Sequence, residues 1–263
     1  MKGKKLKYTV CIDAVFMHQK ISFADAMRKA AKAGYEAVEF WSWWDKDLGQ
    51  IKKCMEETGL QTAAFCTKFV NPGDASLRED YLQGLRESLG AAKELGCPAL
   101  IAQAGWEFDS FPKGITRAQH RVSLIETMKR AGEMAAAENV TLVIEPLNLL
   151  VDHPGYHLAL SEDAFDLLER IDCPNVKLLF DIYHQQITEG NLIRTITAHI
   201  KEIGHFHAAG NPGRGEITEG EINYPGVLKA IAECGYTGYV GLEYMTEKDP
   251  VPGLERTADE ILI

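Results

Sequence analysis

The sequence predicts an α/β protein built as a single (β/α)8 TIM barrel spanning residues 1–263, and three observations carry that expectation. Short β-rich runs alternate with longer helical ones along the whole chain, without a low-complexity or linker-like stretch between them. Eight candidate strands can be counted. Several of them, TLVIE and VKLLFD above all, are apolar at successive positions, as parallel strands are when both faces are covered. A doubly wound open sheet uses the same alternation, so local pattern alone keeps it as the alternative.

In chain order the strands read as Tyr8–Val15, Ala37–Trp41, Thr62–Thr67, Ala99–Gln103, Thr141–Glu145, Lys177–Asp181, Gly204–Ala208 and Tyr239–Tyr244. The segment SFADAMRKAAKAG after the first strand is a helix with Ser22 as its N-cap and Gly34 as its stop. LGQIKKCMEETG, after the second, closes at Gly59, where a residue without Cβ can take the left-handed conformation. Each such segment suits a strand-to-strand crossover.

Bulk properties narrow the function. A hydrophobic content of 46% permits a full core, and no apolar run is long enough to span a bilayer, so no membrane partner is expected. The lysine-rich start MKGKKLKYTV lacks a following apolar segment of signal-peptide length, which makes the cytoplasm the expected location. Cys11, Cys54, Cys66, Cys97, Cys173 and Cys234 form no C-x-x-C pair and read as reduced, mostly buried thiols. The formal net charge of −10, with no basic cluster beyond the first seven residues, argues against a nucleic-acid partner.

Four acidic or imidazole groups fall at the carboxyl ends of successive late strands: Glu145 in VIEPLN, Asp181 in LLFDIYH, His207 in GHFHAAG and Glu243 in VGLEYM. The gaps of 36, 26 and 36 positions are each about one β/α unit, so a barrel would bring all four to one rim, where such folds place their active sites. Three carboxylates and one imidazole suit a hard or borderline divalent ion, Mg²⁺, Mn²⁺ or Co²⁺. Any one of these residues alone would be better explained as a helix cap or a lysine partner; four in phase are harder to explain that way. His205, two positions earlier, reads as a packed histidine behind the ligand His207. His184 and Arg214 can face the mouth and hold substrate oxygens, the alternative for Arg214 being a salt bridge to Glu216 or Glu219. The tryptophans of FWSWWDKD, residues 40–47, either wall the pocket or cover an interface between copies, which leaves a homo-oligomer open.

From roughly Thr141 to Tyr244 the chain resembles the hydroxypyruvate isomerase family within the xylose-isomerase-like TIM barrel superfamily. IEPLN, HPGYHL, FDIYHQQITEGN, IGHFHAAGNPGRGE, GEINY and VGLEY carry the resemblance. It implies that Glu145 and Glu243 are the catalytic glutamate pair and that Asp181 and His207 complete the metal site. It also implies that His184 and Arg214 contact the substrate. Hydroxypyruvate isomerases carry glutamine where His207 stands, whereas ketose 3-epimerases carry histidine. AAFCTKFVNPGD after the third strand lacks the family's histidine-containing segment, AQAGWEFDS after the fourth also departs, and NLLVDHPG is one residue longer.

The expected activity is therefore a sugar or keto-acid isomerisation, with proton transfer through a metal-bound cis-enediolate. A ketose 3-epimerase of tagatose or psicose type needs nearly the same machinery and is the alternative. A non-catalytic sugar-binding barrel is the other, although a binder has no use for a proton-transfer pair.

Overall fold

In the computed structural model, which describes residues 5–105 and 114–263, eight parallel strands pair in sequence order and the eighth closes on the first. They are β1 (Lys7–Cys11), β2 (Ala37–Phe40), β3 (Gln61–Cys66), β4 (Ala99–Gln103), β5 (Thr141–Glu145), β6 (Val176–Asp181), β7 (Ile203–Ala208) and β8 (Tyr239–Leu242). The closed (β/α)8 barrel excludes the open sheet. Around it, in chain order, run α1 (Ile12–Val15), α2 (Phe23–Lys32), α3 (Leu48–Thr58), α4 (Arg78–Leu95) and α5 (Arg117–Ala137). They are followed by α6 (Ser161–Ile171), α7 (Ile182–Thr188), α8 (Leu192–Ala198), α9 (Tyr224–Glu233) and α10 (Pro250–Glu260).

The capping signals act as their chemistry dictates. Ser22 accepts the backbone N–H of Asp25 at the head of α2, and Gly59 ends α3 at φ +78°. The first strand is shorter than its apolar run suggests. It stops at Cys11, and Ile12–Val15 turn into α1, because IDAV is as buried in a helical turn as it would be in a strand. The last strand likewise stops at Leu242, leaving Glu243 just beyond it.

Apolar side chains form two bodies. The larger fills the space between strands and helices, and a small plug of Ala64, Cys66, Ala99, Ile101, Val143 and Leu179 lies inside the barrel. Cys11, Cys54, Cys66 and Cys97 are buried, and all six cysteines carry free thiols. No helix among the described residues is long and apolar enough to cross a membrane. The departure noted in AQAGWEFDS falls, from Trp106 onward, outside the described residues.

Candidate active site and metal centre

Parallel register carries the four predicted ligands to one end of the barrel. Asp181 on β6 pairs with His207 on β7, and His207 pairs with Gly241 on β8, two positions before Glu243. The backbone N–H of Glu243 bonds Ala208 O at 3.0 Å and continues the ladder past the strand end. Glu145 closes β5 beside Gln103 of β4. Asp181 has two tasks, since its Oδ1 also caps α7, accepting from the backbone N–H groups of Tyr183 at 2.7 Å and His184 at 3.0 Å.

Ligand atoms of Glu145, Asp181, His207 and Glu243 all lie within 4.8 Å of one another, and all four residues are buried. His207 stands at the centre. Its Nδ1 is 3.2 Å from Glu145 Oε1 and 3.4 Å from Glu243 Oε2, while its Nε2 faces Glu39 Oε1 at 3.1 Å. Burial alone would disfavour its charged form, but Glu243, Glu39 and Glu145 outweigh burial and hold the imidazole well above its ordinary value. Burial pulls the other way on the carboxylates. Asp181 is raised by it, whereas Glu243 falls well below the usual carboxylate range because His207 and Arg214 overcome the desolvation.

A divalent ion fits this donor set. The carboxylates of Glu39, Glu145, Asp181 and Glu243 outnumber the cations among them, His207 and Arg214, so the buried cluster has negative charge to spare. Three carboxylates and one imidazole nitrogen are donors of the right hardness, and their close approach already suits a shared centre.

Arg214 lies against this centre and does not pair with either neighbour in its own loop. Its Nη2 donates to Glu243 Oε2 at 2.6 Å, and its guanidinium sits 5.7 Å from the centre of the Tyr183 ring. Glu216 and Glu219 bond Arg256 of α10. His184 is fully buried, with Nε2 3.6 Å from Asp181 Oδ2. Its tautomer follows from Asn148. The amide oxygen of Asn148 accepts from the backbone of Val151 and Asp152, so its Nδ2 donates to His184 Nδ1 at 2.7 Å and the ring proton is left on Nε2. Burial, with Arg214 adding to it, pushes His184 down to about 3 and keeps it neutral.

The cluster opens into a cavity of about 640 Å³ whose walls include Trp41, Phe69, Ile101, Tyr156, Arg214 and Met245. The three tryptophans of FWSWWDKD divide. Trp41 lines the cavity and donates its indole N–H to Glu243 Oε1 at 2.7 Å; Trp43 bonds Ser88, and Trp44 meets the Phe69 ring edge-on at 4.9 Å. Sequence reasoning missed Glu39 altogether. Its signal was a lone acid inside the apolar strand AVEF, where an unpaired charge cannot be buried.

A family model described as the xylose isomerase-like TIM barrel matches residues 27–262. The chain belongs to that family. Among curated proteins it is 32% identical over 240 residues to hydroxypyruvate isomerase of Escherichia coli (strain K12), covering 88% of this chain and 91% of that one. It is also 32% identical over 249 residues to 2-oxo-tetronate isomerase of Cupriavidus necator, covering 90% and 93%. Among solved structures, one described as an AP endonuclease, family 2, from Brucella melitensis superposes with a TM-score of 0.87 at 28% identity, over 97% of this chain and 99% of that one. A D-allulose 3-epimerase from Methylomonas sp. shares the fold with a TM-score of 0.78 at 20% identity, covering 97% and 89%. With isomerases as relatives along most of its length, this member of the xylose isomerase-like family is an isomerase.

Proposed function

We propose that this isomerase is divalent-metal-dependent and acts on small keto acids of the hydroxypyruvate or 2-oxo-tetronate class, moving a carbonyl to the neighbouring hydroxyl carbon. The observation that carries the proposal is the convergence of Glu145, Asp181, His207 and Glu243, three of which, Glu145, His207 and Glu243, line one cavity. The curated isomerase relatives support the substrate class. Glu145, Asp181, His207 Nδ1 and Glu243 would hold the ion, which when bound supplies Lewis acidity to the substrate's carbonyl and hydroxyl oxygens.

The protein's own groups divide the remaining work. Glu243 has both oxygens committed, Oε1 to Trp41 and Oε2 to Arg214, so it is held as an anion in a fixed orientation. Glu145 has only Oε1 engaged, by His207, among the described residues. We therefore assign Glu145 the removal of the proton alpha to the carbonyl and its return to the adjacent carbon. Arg214, cationic and on the cavity wall, meets the substrate's carboxylate, and the Nε2–H of His184 donates toward a substrate oxygen beside Asp181.

His207 also favours a second reading, the ketose 3-epimerase, because histidine is what that group carries at this position. Proton exchange in D2O separates the two. Hydroxypyruvate, 2-oxo-tetronate and a panel of ketoses are incubated with chelator-treated protein, with and without Mn²⁺, and followed by NMR. Metal-dependent deuterium at the original carbonyl carbon, now the hydroxyl-bearing carbon beside a shifted carbonyl, supports the isomerase. Deuterium at an inverted ketose stereocentre supports the epimerase. Exchange on no substrate sinks both.

A further inference from the structure

Glu39 sits in the middle of β2, inside the barrel and directly beneath the candidate ligands. Its Oε2 bonds His205 Nε2 at 2.8 Å, and its Oε1 lies 3.1 Å from His207 Nε2, with an alignment short of a full hydrogen bond. The opposite edge of the His207 ring, Nδ1, is turned to Glu145 and Glu243. The imidazole is therefore held between two sets of carboxylates that serve different nitrogens. Room for Glu39 comes from Gly241, the register partner of His207, where a Cβ would stand 2.2 Å from Glu39 Oε1. The His205 ring, near-perpendicular to that of His207 at 5.2 Å between centres, holds the second oxygen of Glu39 and so fixes the carboxylate's rotation.

An imidazole can ligate a metal only through a nitrogen that carries no proton, and a carboxylate at the other nitrogen keeps the proton there. We infer that Glu39 is a positioning residue that retains the proton on His207 Nε2 and so presents the Nδ1 lone pair to the centre formed with Glu145, Asp181 and Glu243. This role rests on the metal-centre reading above. Glu39, His205 and His207 are themselves close enough to be a three-ligand site, but they bring one carboxylate where the neighbouring cluster brings three, so a hard divalent ion is better matched by Glu145, Asp181, His207 and Glu243.

Two measurements test the role without relying on turnover. Calorimetric titration of chelator-treated protein with Mn²⁺ should give one site per chain, weakened roughly 10–100-fold in Glu39→Gln. Protein labelled with ¹⁵N-histidine and loaded with ¹¹³Cd²⁺ should show cadmium coupled to His207 Nδ1 and a slowly exchanging proton on Nε2, with the signals assigned by their loss in His207→Gln. Affinity within twofold of wild type in a folded Glu39→Gln protein, coupling through Nε2, or two cadmium ions per chain would each overturn the role. Wild-type protein that binds no Mn²⁺ removes the metal centre and this role with it, whereas equal binding by both proteins removes only the role. If Glu39→Gln does not fold, the cadmium spectrum of the wild type decides alone.

Discussion

The indole N–H of Trp41, one residue past β2, donates to Glu243 Oε1 at 2.7 Å across 202 positions of sequence. Arg214 takes the other oxygen, so this carboxylate is clamped at both ends. Replacing Trp41 by Phe keeps an aromatic wall and removes the donor. We expect a stability loss of about 1 kcal/mol, as for one hydrogen bond, and weaker Mn²⁺ and substrate affinity with a smaller change in kcat, because the orientation of Glu243 is what suffers. Mn²⁺ titration and steady-state kinetics beside a denaturant titration would show it; unchanged Mn²⁺ affinity and KM would mean that the clamp does not position Glu243.

Glu145 and Glu243 should fail differently. Glu145→Gln removes the assigned base and should lower metal-dependent deuterium exchange by roughly 10²–10⁴-fold, with Mn²⁺ binding reduced more modestly. Glu243→Gln leaves Arg214 facing a neutral amide where it now meets a carboxylate, so its main defect should be in metal and substrate affinity. Exchange rate and Mn²⁺ affinity measured on both variants would reveal whether the division holds, and identical profiles would refute it.

Much of this site was legible in the sequence because parallel strands covered on both faces are apolar throughout. A charge closing TLVIE or VKLLFD therefore stands out, and the spacing of such charges follows the β/α repeat. Glu39 escaped for the same reason inverted. It lies inside its strand and is accommodated by His205, 166 positions away, and by a missing side chain at Gly241, neither of which local pattern discloses. The partner of Arg214 was equally hidden, since nothing in NPGRGE shows that Glu216 and Glu219 are taken up by Arg256. The first strand was overextended because IDAV carries no punctuation between strand and helix.

Loading the centre should stabilise the fold. An ion that binds only the native state at 100 times its Kd adds about 2.7 kcal/mol, which for a chain of this size raises Tm by roughly 5–10 °C. Thermal melts of chelator-treated protein with and without Mn²⁺ measure this directly, and superimposable melts would contradict a native metal centre.

Acid should weaken the protein before its carboxylates titrate. His120 on α5 and His157 in the loop after β5 face each other with ring centres 4.2 Å apart. Burial drives His120 down to about 4 and His157, beside it, to about 3. Both values lie below the ordinary 6.5, so the unfolded chain takes up protons that the folded one refuses. The contribution of this pair is thus complete above pH 6.5 and declines as pH falls toward 4, by up to about 1.4 kcal/mol per pH unit for each histidine. Guanidinium titrations at pH 7, 6 and 5 should give a shallower decline for His157→Phe than for wild type; parallel declines would exclude this origin.

The seam between β8 and β1 has a consequence for how the centre comes into being. All four candidate ligands lie between Glu145 and Glu243, yet β8, which delivers the last of them, is held on one side by β1, and Trp41 reaches Glu243 from the end of β2. A fragment beginning at Thr141 would contain every ligand and still not assemble the centre, because the strand that aligns Glu243 would have lost one neighbour and its carboxylate one donor. The candidate ligand cage is completed only where the two ends of the barrel meet, so any metal uptake would report ring closure.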